Sequence, residues 1–408
     1  MPDDAKLAAV RAGLPALAAG IYLNTGSVGP MPAETAAAMA EFAERELTVG
    51  RGHPADWPDA LVRIDEARAA VAAVLTTDVD RIALTGSATH GMNIAAWSLD
   101  WRPGDRVLTS GHEHAGGVGP LYVLRDRFAV EVVFVDIGHG SDDDATVAAF
   151  ERAITPATRM IAVSHVVYTT GARLPVRRIA DLAHDRGLLM AVDGAQAAGA
   201  IPLDVVDLGA DVYAVAGQKW LLGPEGTGAV YVSRAADDRV AMSVTGWHAF
   251  EQIDSAGTAV PHRDARRLQA SGFNRPSVLG LARSIGWLTM YVGLDWIHRR
   301  GTALAATAAD RLAAVPGVRL LTPRERMATL VTFTIDGWPA EAVVDELGAR
   351  TFAIVRTIPD LNATRLSIGF FNTDDEIDRV LRTVELLAAH TPDNLPPRRT
   401  LAMLGSDS

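Results

Sequence analysis

Lys219 is the residue whose type and surroundings point most directly to chemistry. Lysine occurs only at Lys6 and Lys219, so every other basic residue among the 38 lysines and arginines is an arginine. Guanidinium groups stay protonated and cannot form an imine at neutral pH, so an interior lysine kept against this bias indicates amine chemistry. Lys6 shows that a lysine also persists without an evident role. Lys219 precedes Trp220 and Leu221, and partial desolvation there would lower its pKa.

A phosphate-sized anion is the ligand that a second segment would suit. Thr85-Gly86-Ser87-Ala88-Thr89-His90-Gly91 follows an apolar run and opens a helical run over 89-99. Small residues let the backbone approach a ligand, and free N–H groups with the hydroxyls of Ser87 and Thr89 would hold a phosphate at the helix N-terminus. An ordinary N-cap is the alternative, since Ser and Thr are preferred caps.

A carboxylate, Asp193, ends the apolar run 188-193 and is followed by Gly194, Ala195 and Gln196. At the end of a strand in an open α/β sheet it can face a bound ring. A capping or turn aspartate explains the same segment equally well when that segment is considered alone.

Two histidines, His112 and His114, flank Glu113 after the apolar run 105-109. Residues two apart on an extended segment share a face, so a metal site must be considered, with His112, His114 and Asp193 as ligands of a metal hydrolase. No further cluster of His, Asp or Glu obviously completes such a site. A histidine stacked flat on a cofactor ring is the interpretation we favour.

These four segments suit one cofactor, pyridoxal 5'-phosphate (PLP). A phosphate cradle, a ring stacker, a strand-end carboxylate and a lysine follow one another along the chain, each after a different predicted strand. PLP requires all four, because its phosphate takes N–H donors, its pyridine nitrogen takes an anionic partner, and its aldehyde forms a Schiff base with an amine.

The elements that must position these residues read as an α/β fold. Apolar, β-branched runs alternate with segments of helical period, which predicts a mainly parallel seven-stranded sheet with helices on both faces. Pro175 opens one such helix, whose apolar face holds Val176, Ile179, Ala180 and Ala183. The predicted strands of this sheet are 81-85, 105-109, 131-135, 159-164, 188-193, 211-216 and 228-233.

A smaller α+β layer is predicted after a long helix at 277-300. Its elements are strand 329-335, helix 339-348, strands 352-357 and 364-369, and helix 374-389. We expect residues 25-284 to form the large domain and residues 1-24 with 285-390 the small domain. The tail 391-408, rich in Pro, Arg and Ser, is expected to lie outside the packed structure.

Composition excludes several classes of function. The 408 residues contain no cysteine, so disulfides, thiolate zinc sites and thiol nucleophiles are excluded. A formal charge of -11 disfavours nucleic acid as a partner. No apolar run reaches the roughly 18 residues of a membrane span. The N-terminus lacks a secretory pattern, so we expect a cytoplasmic enzyme that acts on a small molecule.

The sequence resembles the class V aminotransferase family of fold-type I PLP enzymes, which includes cysteine desulfurases, isopenicillin N epimerase and cystine C–S lyases. The likeness runs from about residue 21 to 385, with its most specific stretches at 22-27, 164-171, 192-196, 218-228 and 365-373. It implies that Lys219 carries the cofactor, that Asp193 pairs with the pyridine nitrogen and that His114 stacks on the ring. It also implies supporting positions: Gln196 at the ring hydroxyl, Ser87, Ala88, Thr89 and Gln218 around the phosphate, and Asn24 and Arg365 at the substrate, with Arg365 gripping its carboxylate.

Three positions depart from the family pattern. Relatives usually carry histidine at Gln218 and often serine at Ala216, which leaves the phosphate cup weaker or differently arranged. Gly272 replaces a threonine that reaches the phosphate of a neighbouring subunit. Active sites of this family form between two subunits, so the resemblance implies a homodimer.

The resemblance and the missing cysteine together favour an amino-acid C–S β-lyase that acts on cystine or a cysteine conjugate, because the persulfide mechanism of the desulfurases needs a cysteine. Epimerisation, transamination and decarboxylating or oxidative deamination use the same chemistry at the α-carbon and remain alternatives. The lining of the pocket would decide among them. Its candidate residues, which packing in the core or an interface explains equally well, are Trp57, Trp247, His248 and Phe250.

Overall fold

The computed structural model describes residues 3–52, 54, 56–270 and 272–398, without the side chains of residues 56 and 57. The α-helices are α1 (Asp3–Ala12), α2 (Ala33–Val49), α3 (Asp56–Leu75), α4 (Ala88–Ala96), α5 (Ala115–Phe128), α6 (Asp143–Ala153), α7 (Val176–Asp185), α8 (Arg275–Gly286), α9 (Leu294–Ala313), α10 (Ala340–Thr351) and α11 (Asp374–Ala388). The strands are β1 (Ile21–Tyr22), β2 (Ile82–Thr85), β3 (Arg106–Ser110), β4 (Glu131–Val135), β5 (Thr158–Ser164), β6 (Leu189–Asp193), β7 (Val212–Ala216), β8 (Gly228–Val232), β9 (Phe250–Ile253), β10 (Ala259–Pro261), β11 (Val318–Leu320), β12 (Leu330–Ile335), β13 (Ala353–Ile354), β14 (Arg356–Ile358) and β15 (Ala363–Ser367).

A seven-stranded sheet forms the centre of the described chain, in the order β2-β8-β7-β6-β5-β3-β4. Strands β3 to β7 run parallel, and β8 pairs antiparallel with both β2 and β7. Every residue of β6, β7 and β8 is buried, which is why these strands appear in the sequence as continuous apolar runs. The predicted mainly parallel sheet is confirmed.

Helices cover both faces of this sheet, and a hydrophobic core lies on each side. Helix α7 shows how the pattern specifies the packing, because its predicted apolar residues Val176, Ile179, Ala180 and Ala183 are all buried. Parallel strands leave their carboxyl ends at one edge of the sheet, and the polar residues that follow β3, β6 and β7 therefore meet there.

A second, antiparallel sheet follows in the order β11-β12-β15-β14 and packs with α9, α10 and α11 around its own core. This confirms the predicted smaller α+β layer, with two differences. Strand β11 was not anticipated. The predicted strand 352-357 is two strands, because β13 pairs with β1 whereas β14 pairs with β15.

The long helix predicted at 277-300 is wrong. Helix α8 ends at Gly286, a π-helical segment spans Trp287–Val292, and α9 begins after Gly293, with a bend of 84° between the two parts. Gly293 has φ +90°, a conformation that side-chain periodicity does not reveal and that glycine adopts without strain.

Part of the predicted tail is packed. Leu395 contacts the core of the second sheet, and Arg398 pairs with Glu346 at 3.0 Å, while residues 399-408 lie outside the described part. The domain limits at residues 24 and 284 stay a prediction. Among the described helices none is alone long and apolar enough to cross a membrane, although the bent pair Arg275–Val292 and Leu294–Ala313 passes that test together by length and composition.

Candidate active site

Lys219 lies just after β7 as a half-buried residue, and its amine is desolvated. Burial lowers the pKa of Lys219 to about 8, an effect that Asp193 opposes and that Arg365 and Arg356 reinforce. The close approach of Gly29 fixes the neighbouring backbone, since the Gly29 N–H donates to the carbonyl of Gln218 at 2.7 Å. A buried amine with this pKa is partly unprotonated at neutral pH and is therefore a competent nucleophile and proton acceptor.

Asp193 is the last residue of β6 and is only 8% exposed. The Ala195 N–H donates to its Oδ1 at 2.9 Å. Its other oxygen, Oδ2, faces the start of α5, because a Cβ on Gly117 would lie 3.8 Å from it. The carboxylate is thus held by the turn that follows β6 and presents one oxygen toward the segment that carries His114.

His114 caps the N-terminus of α5. The Gly116 N–H donates to its Nδ1 at 3.0 Å, so Nδ1 carries no proton and the ring cannot tumble. Its edge meets Tyr168, with ring centroids 5.2 Å apart and planes at 84°. Burial, with help from the charge of Lys219, lowers the pKa of His114. A neutral, fixed imidazole next to Asp193 and Lys219 is suited to lie against a flat ring.

The start of α4 is the segment that the sequence predicts to bind a phosphate. Ser87 is the N-cap and its Oγ accepts from the His90 N–H at 3.1 Å, whereas Ala88 and Thr89 stand in the first turn, where N–H groups have no partner within the helix. Thr89 also reaches α5, because a Cβ on Gly116 would lie 2.2 Å from its Oγ1. Ser87 therefore serves as the cap, which was the alternative we considered for it.

Gln218 contributes an unsatisfied acceptor. Its side-chain Oε1 is buried and has no hydrogen-bond partner among the described residues. Buried polar groups are rarely left without a partner, so such an atom marks a place where a ligand group fits.

Arg365 and Gln196 meet at Gly26. A Cβ on Gly26 would lie 3.0 Å from Arg365 Nη2 and 3.0 Å from Gln196 Oε1, so only glycine leaves this space open. Gln196 is fixed from both sides, because its Nε2 donates to the Gly26 carbonyl at 2.8 Å and its Oε1 accepts from Trp220 Nε1 at 2.9 Å.

Arg365 is fully buried. Its Nη1 donates to the carbonyl of Tyr168 at 2.9 Å, and its Nε and Nη2 have no partner among the described residues. Burial, followed by the charge of Arg356, lowers the pKa of Arg365 to about 9. The free Nε and Nη2 form the edge of the guanidinium that binds a carboxylate with two hydrogen bonds. Asn24, predicted nearby, bridges to Ser367 on the same sheet.

Sequence reasoning missed two charged residues of this site, Glu113 and Arg356. Glu113 is a half-buried residue whose carboxyl is desolvated, and this carboxyl accepts from Ser110 Oγ at 2.6 Å and from Ser164 Oγ at 2.5 Å. Burial, reinforced by Asp193, raises the pKa of Glu113 to about 7 even though both hydroxyls lower it. The signal for Glu113 was its place between two histidines. Arg356 gave none, because it lies within the predicted strand 352-357 and the sequence does not show how that strand pairs.

The proposed metal ligands do not form a site. His112 turns away from His114, because its Nδ1 bonds Thr169 Oγ1 at 2.9 Å and its Nε2 bonds the Gly138 carbonyl at 2.6 Å. Over the described residues, no group of three or more His, Cys, Asp or Glu side chains could hold a metal ion. The metal-hydrolase hypothesis is therefore wrong on geometric grounds.

The aromatic residues predicted to line the substrate pocket lie in other parts of the structure. Trp247 and His248 stack at 3.6 Å and line a groove with Phe42 and Phe273. Phe250 begins β9, outside both large sheets. The side chain of Trp57 lies outside the described residues.

The sequence profile of the Aminotransferase class-V family matches residues 21–380. The chain belongs to this family. A probable cysteine desulfurase of Methanothermobacter thermautotrophicus is 28% identical over 394 residues, which cover 93% of this chain and 97% of that protein. The isopenicillin N epimerase of Streptomyces clavuligerus is 30% identical over 387 residues, covering 90% and 94%. The solved structure of the cystine C–S lyase C-DES with its product cysteine persulfide superposes with a TM-score of 0.84 at 25% identity, covering 91% of this chain and 99% of C-DES.

This class V protein is therefore a PLP-dependent enzyme of the cysteine desulfurase and C–S lyase kind. The residues present fit the cofactor. A buried amine at Lys219, a helix N-terminus at α4 and the unsatisfied Oε1 of Gln218 are the groups that a phosphorylated aldehyde requires, and they lie at one edge of the large sheet.

Proposed function

We propose that this enzyme is an amino-acid C–S β-lyase, which releases a thiol or persulfide from cystine or a cysteine conjugate and forms pyruvate and ammonia. The observation that carries the proposal is the absence of cysteine from all 408 residues, combined with a site that keeps Lys219, Asp193 and Arg365. A desulfurase of this family stores sulfur on its own cysteine, and this chain has no thiol to receive it. The C–S lyase reaction needs none.

Lys219 has two roles in this proposal. It binds the cofactor covalently while no substrate is present, and its freed amine then takes the proton from the substrate α-carbon. The pKa of about 8 supports the second role, because a general base is most effective when its pKa lies near the working pH. Bound PLP supplies an electron sink for the pair of electrons that this proton leaves behind.

The other site residues would orient and hold the substrate and the cofactor. Arg365 would bind the substrate α-carboxylate through its free Nε and Nη2. Asp193 would face the pyridine nitrogen with its Oδ2 and keep it protonated, and His114 would lie against the ring. Cofactor binding would be completed by Gln196 at the ring hydroxyl and by Ser87, Ala88, Thr89 and Gln218 around the phosphate.

A homodimer is part of the proposal. Gly272 lines one pocket together with Gly86 and His90, which supports a dimer because this pocket would adjoin the proposed phosphate site, where relatives receive a threonine from a second subunit. Light scattering on the purified enzyme should give twice the 43.2 kDa of the chain. A monomer with full activity would contradict this part.

The experiment that tests the proposal begins with an absorption spectrum of the purified protein before and after borohydride. We expect a band at about 410–420 nm that borohydride removes, and its loss in Lys219→Ala. Lys6→Ala is the matched control, since Lys6 is the other lysine and lies over the ring of Trp296; it should keep the band. Pyruvate is then measured with a panel of cystine and cysteine thioethers.

Epimerisation is the second candidate, favoured by the 30% identity to the isopenicillin N epimerase. Removal of the α-proton by Lys219 serves both reactions, and only the fate of the β-substituent differs. In deuterated water an epimerase would return the amino acid with inverted stereochemistry and an α-deuterium, without pyruvate. Pyruvate release with no inverted amino acid would leave the lyase as the function.

A further inference from the structure

Tyr168, in the loop that follows β5, lies between the residue proposed to stack on the cofactor and the residue proposed to bind the substrate. Its ring packs against that of His114, with centroids 5.2 Å apart, and its carbonyl accepts from Arg365 Nη1 at 2.9 Å. The phenol is also close enough to Arg365 for each group to shift the pKa of the other. A substrate that extends from the cofactor ring to Arg365 would therefore lie beside Tyr168.

The hydroxyl of Tyr168 has no hydrogen-bond partner within the part of the chain that the structure describes. Two other phenols near the strand ends are bonded: Tyr22 Oη donates to the Val28 carbonyl at 2.7 Å, and Tyr213 Oη bonds His165 Nδ1 at 3.0 Å. The O–H group of a tyrosine in a protein interior usually finds a partner. The hydroxyl of this half-buried residue is thus available to a ligand.

Packing explains the ring of Tyr168 but not its hydroxyl. The ring lies against an apolar cluster of Leu321, Ile358 and Ala363, so it joins the loop after β5 to the small sheet. Phenylalanine would fill the same space without bringing a polar group to the site, since only the ring contributes to this contact. The hydroxyl therefore calls for a separate role.

A proton donor at this place meets the need of a leaving sulfur. When Lys219 takes the α-proton, the electron pair left behind forms a carbon–carbon double bond, and the C–S bond breaks with its own pair on sulfur. An alkyl thiolate is a strongly basic leaving group, whereas a persulfide anion is much less basic. Burial raises the pKa of Tyr168 against the opposing charges of Arg356 and Arg365, so the phenol holds a proton to donate at neutral pH.

We propose that Tyr168 is a further catalytic residue, whose hydroxyl gives its proton to the leaving sulfur as the C–S bond breaks. The O–H bond of the phenol breaks, an S–H bond forms, and the thiol departs neutral. The phenolate regains a proton from solvent, to which Lys219 releases the α-proton. This inference rests on the proposed function and deepens it, because the acid allows the enzyme to cleave thioethers as well as disulfides.

The test uses two substrates of equal length. S-propyl-L-cysteine must release a basic alkyl thiolate, whereas S-(ethylthio)-L-cysteine releases the weakly basic ethyl persulfide. The wild-type holoenzyme should form pyruvate from both. In Tyr168→Phe, kcat/KM should fall about a hundredfold for the thioether and stay within about threefold for the disulfide. Tyr122→Phe, which changes an exposed tyrosine on α5, is the control and should leave both values unchanged.

Hydrogen exchange separates a chemical role of Tyr168 from a structural one. L-alanine has no leaving group, so exchange of its α-hydrogen in deuterated water needs the cofactor and Lys219 but no acid for sulfur. Tyr168→Phe should exchange at the wild-type rate, and slower exchange would overturn the inference because the phenol would then support the cofactor.

The turnover data distinguish failure of this inference from failure of the lyase assignment. Equal losses with both substrates in Tyr168→Phe, no loss with either, or a wild-type enzyme that cleaves the disulfide alone would overturn the role of Tyr168 and leave the lyase standing. A wild-type enzyme that forms pyruvate from neither substrate would refute the lyase, and the role of Tyr168 with it.

Discussion

Glu113 gives the sharpest prediction, because its carboxyl is desolvated and its donors, from Ser110 and Ser164, are all uncharged. Ser110 and Ser164 hold its two oxygens, and β5 places Ser164 beside Asp193 in the sheet. No cation pairs with Glu113 within the described residues, so burial dominates and raises its pKa from 4.5 to about 7. Over this range the unfolded chain loses the proton while the folded protein retains it.

The sign and size of the stability change follow from the linkage between proton binding and folding. Below pH 4.5 both the folded and the unfolded protein hold the proton of Glu113, and the free energy of unfolding is not reduced. As the pH rises from 4.5 to about 7 the free energy of unfolding falls progressively, and above about 7 the reduction is constant. The difference corresponds to about 3 kcal/mol. Glu113→Gln removes the titration but keeps the shape, and the serine hydroxyls can rotate to suit the amide. The free energy of unfolding of Glu113→Gln, relative to that of wild type, should therefore increase by about 3 kcal/mol between pH 4.5 and 8.

The assay is urea unfolding of the cofactor-loaded enzyme at several pH values across this range, with Glu41→Gln, an exposed position on α2, as the control. The free-energy difference between Glu113→Gln and wild type should rise with pH, whereas the control should follow wild type in parallel. A difference that stays constant from pH 5 to pH 8 would refute the reasoning, because the buried carboxyl would then titrate as it does in the unfolded chain.

Three further predictions concern the site. PLP should load onto the apoprotein at a rate that rises with pH and levels off above about 8, the pKa of Lys219, as stopped-flow absorbance would show; a rise continuing toward pH 10 would contradict it. Gly194→Ala places a Cβ 2.0 Å from the ring of Tyr213 and should lower the free energy of unfolding by about 3 kcal/mol, measured by urea unfolding. Gly26→Ala crowds Arg365 Nη2 at 3.0 Å and should raise KM by about tenfold with little change in kcat; an unchanged KM would show that the free edge is not used.

The sheet and the two central residues could be predicted because local sequence encodes them. A strand buried on both faces must be apolar throughout, so β6 and β7 stand out as runs, and a polar residue at the end of such a run is conspicuous. Asp193 and Lys219 stand out in this way. The same logic found the apolar face of α7, where the period of 3.6 residues matches the buried positions.

The features that the sequence did not predict depend on strand pairing between distant segments or on backbone conformation. The break before α9 rests on the φ of Gly293, which composition does not encode in a region of helical period. Arg356 enters the site because β14 pairs with β15 in one particular register, and a shift by one residue would turn its side chain to the other face. The sequence pattern predicted a single strand through this segment and so concealed it.

The placement of charges in the two sheets has a consequence for catalysis. The large sheet contributes carboxyl groups at its strand ends, Asp193 among them, whereas the small sheet contributes Arg356 and Arg365. The pKa of Lys219 is raised by Asp193 and lowered by Arg365 and Arg356. A substrate that brings carboxylates to the arginines cancels their effect on Lys219 and leaves that of Asp193. Substrate binding should therefore make the amine of Lys219 a stronger base at the stage where it must take the α-proton.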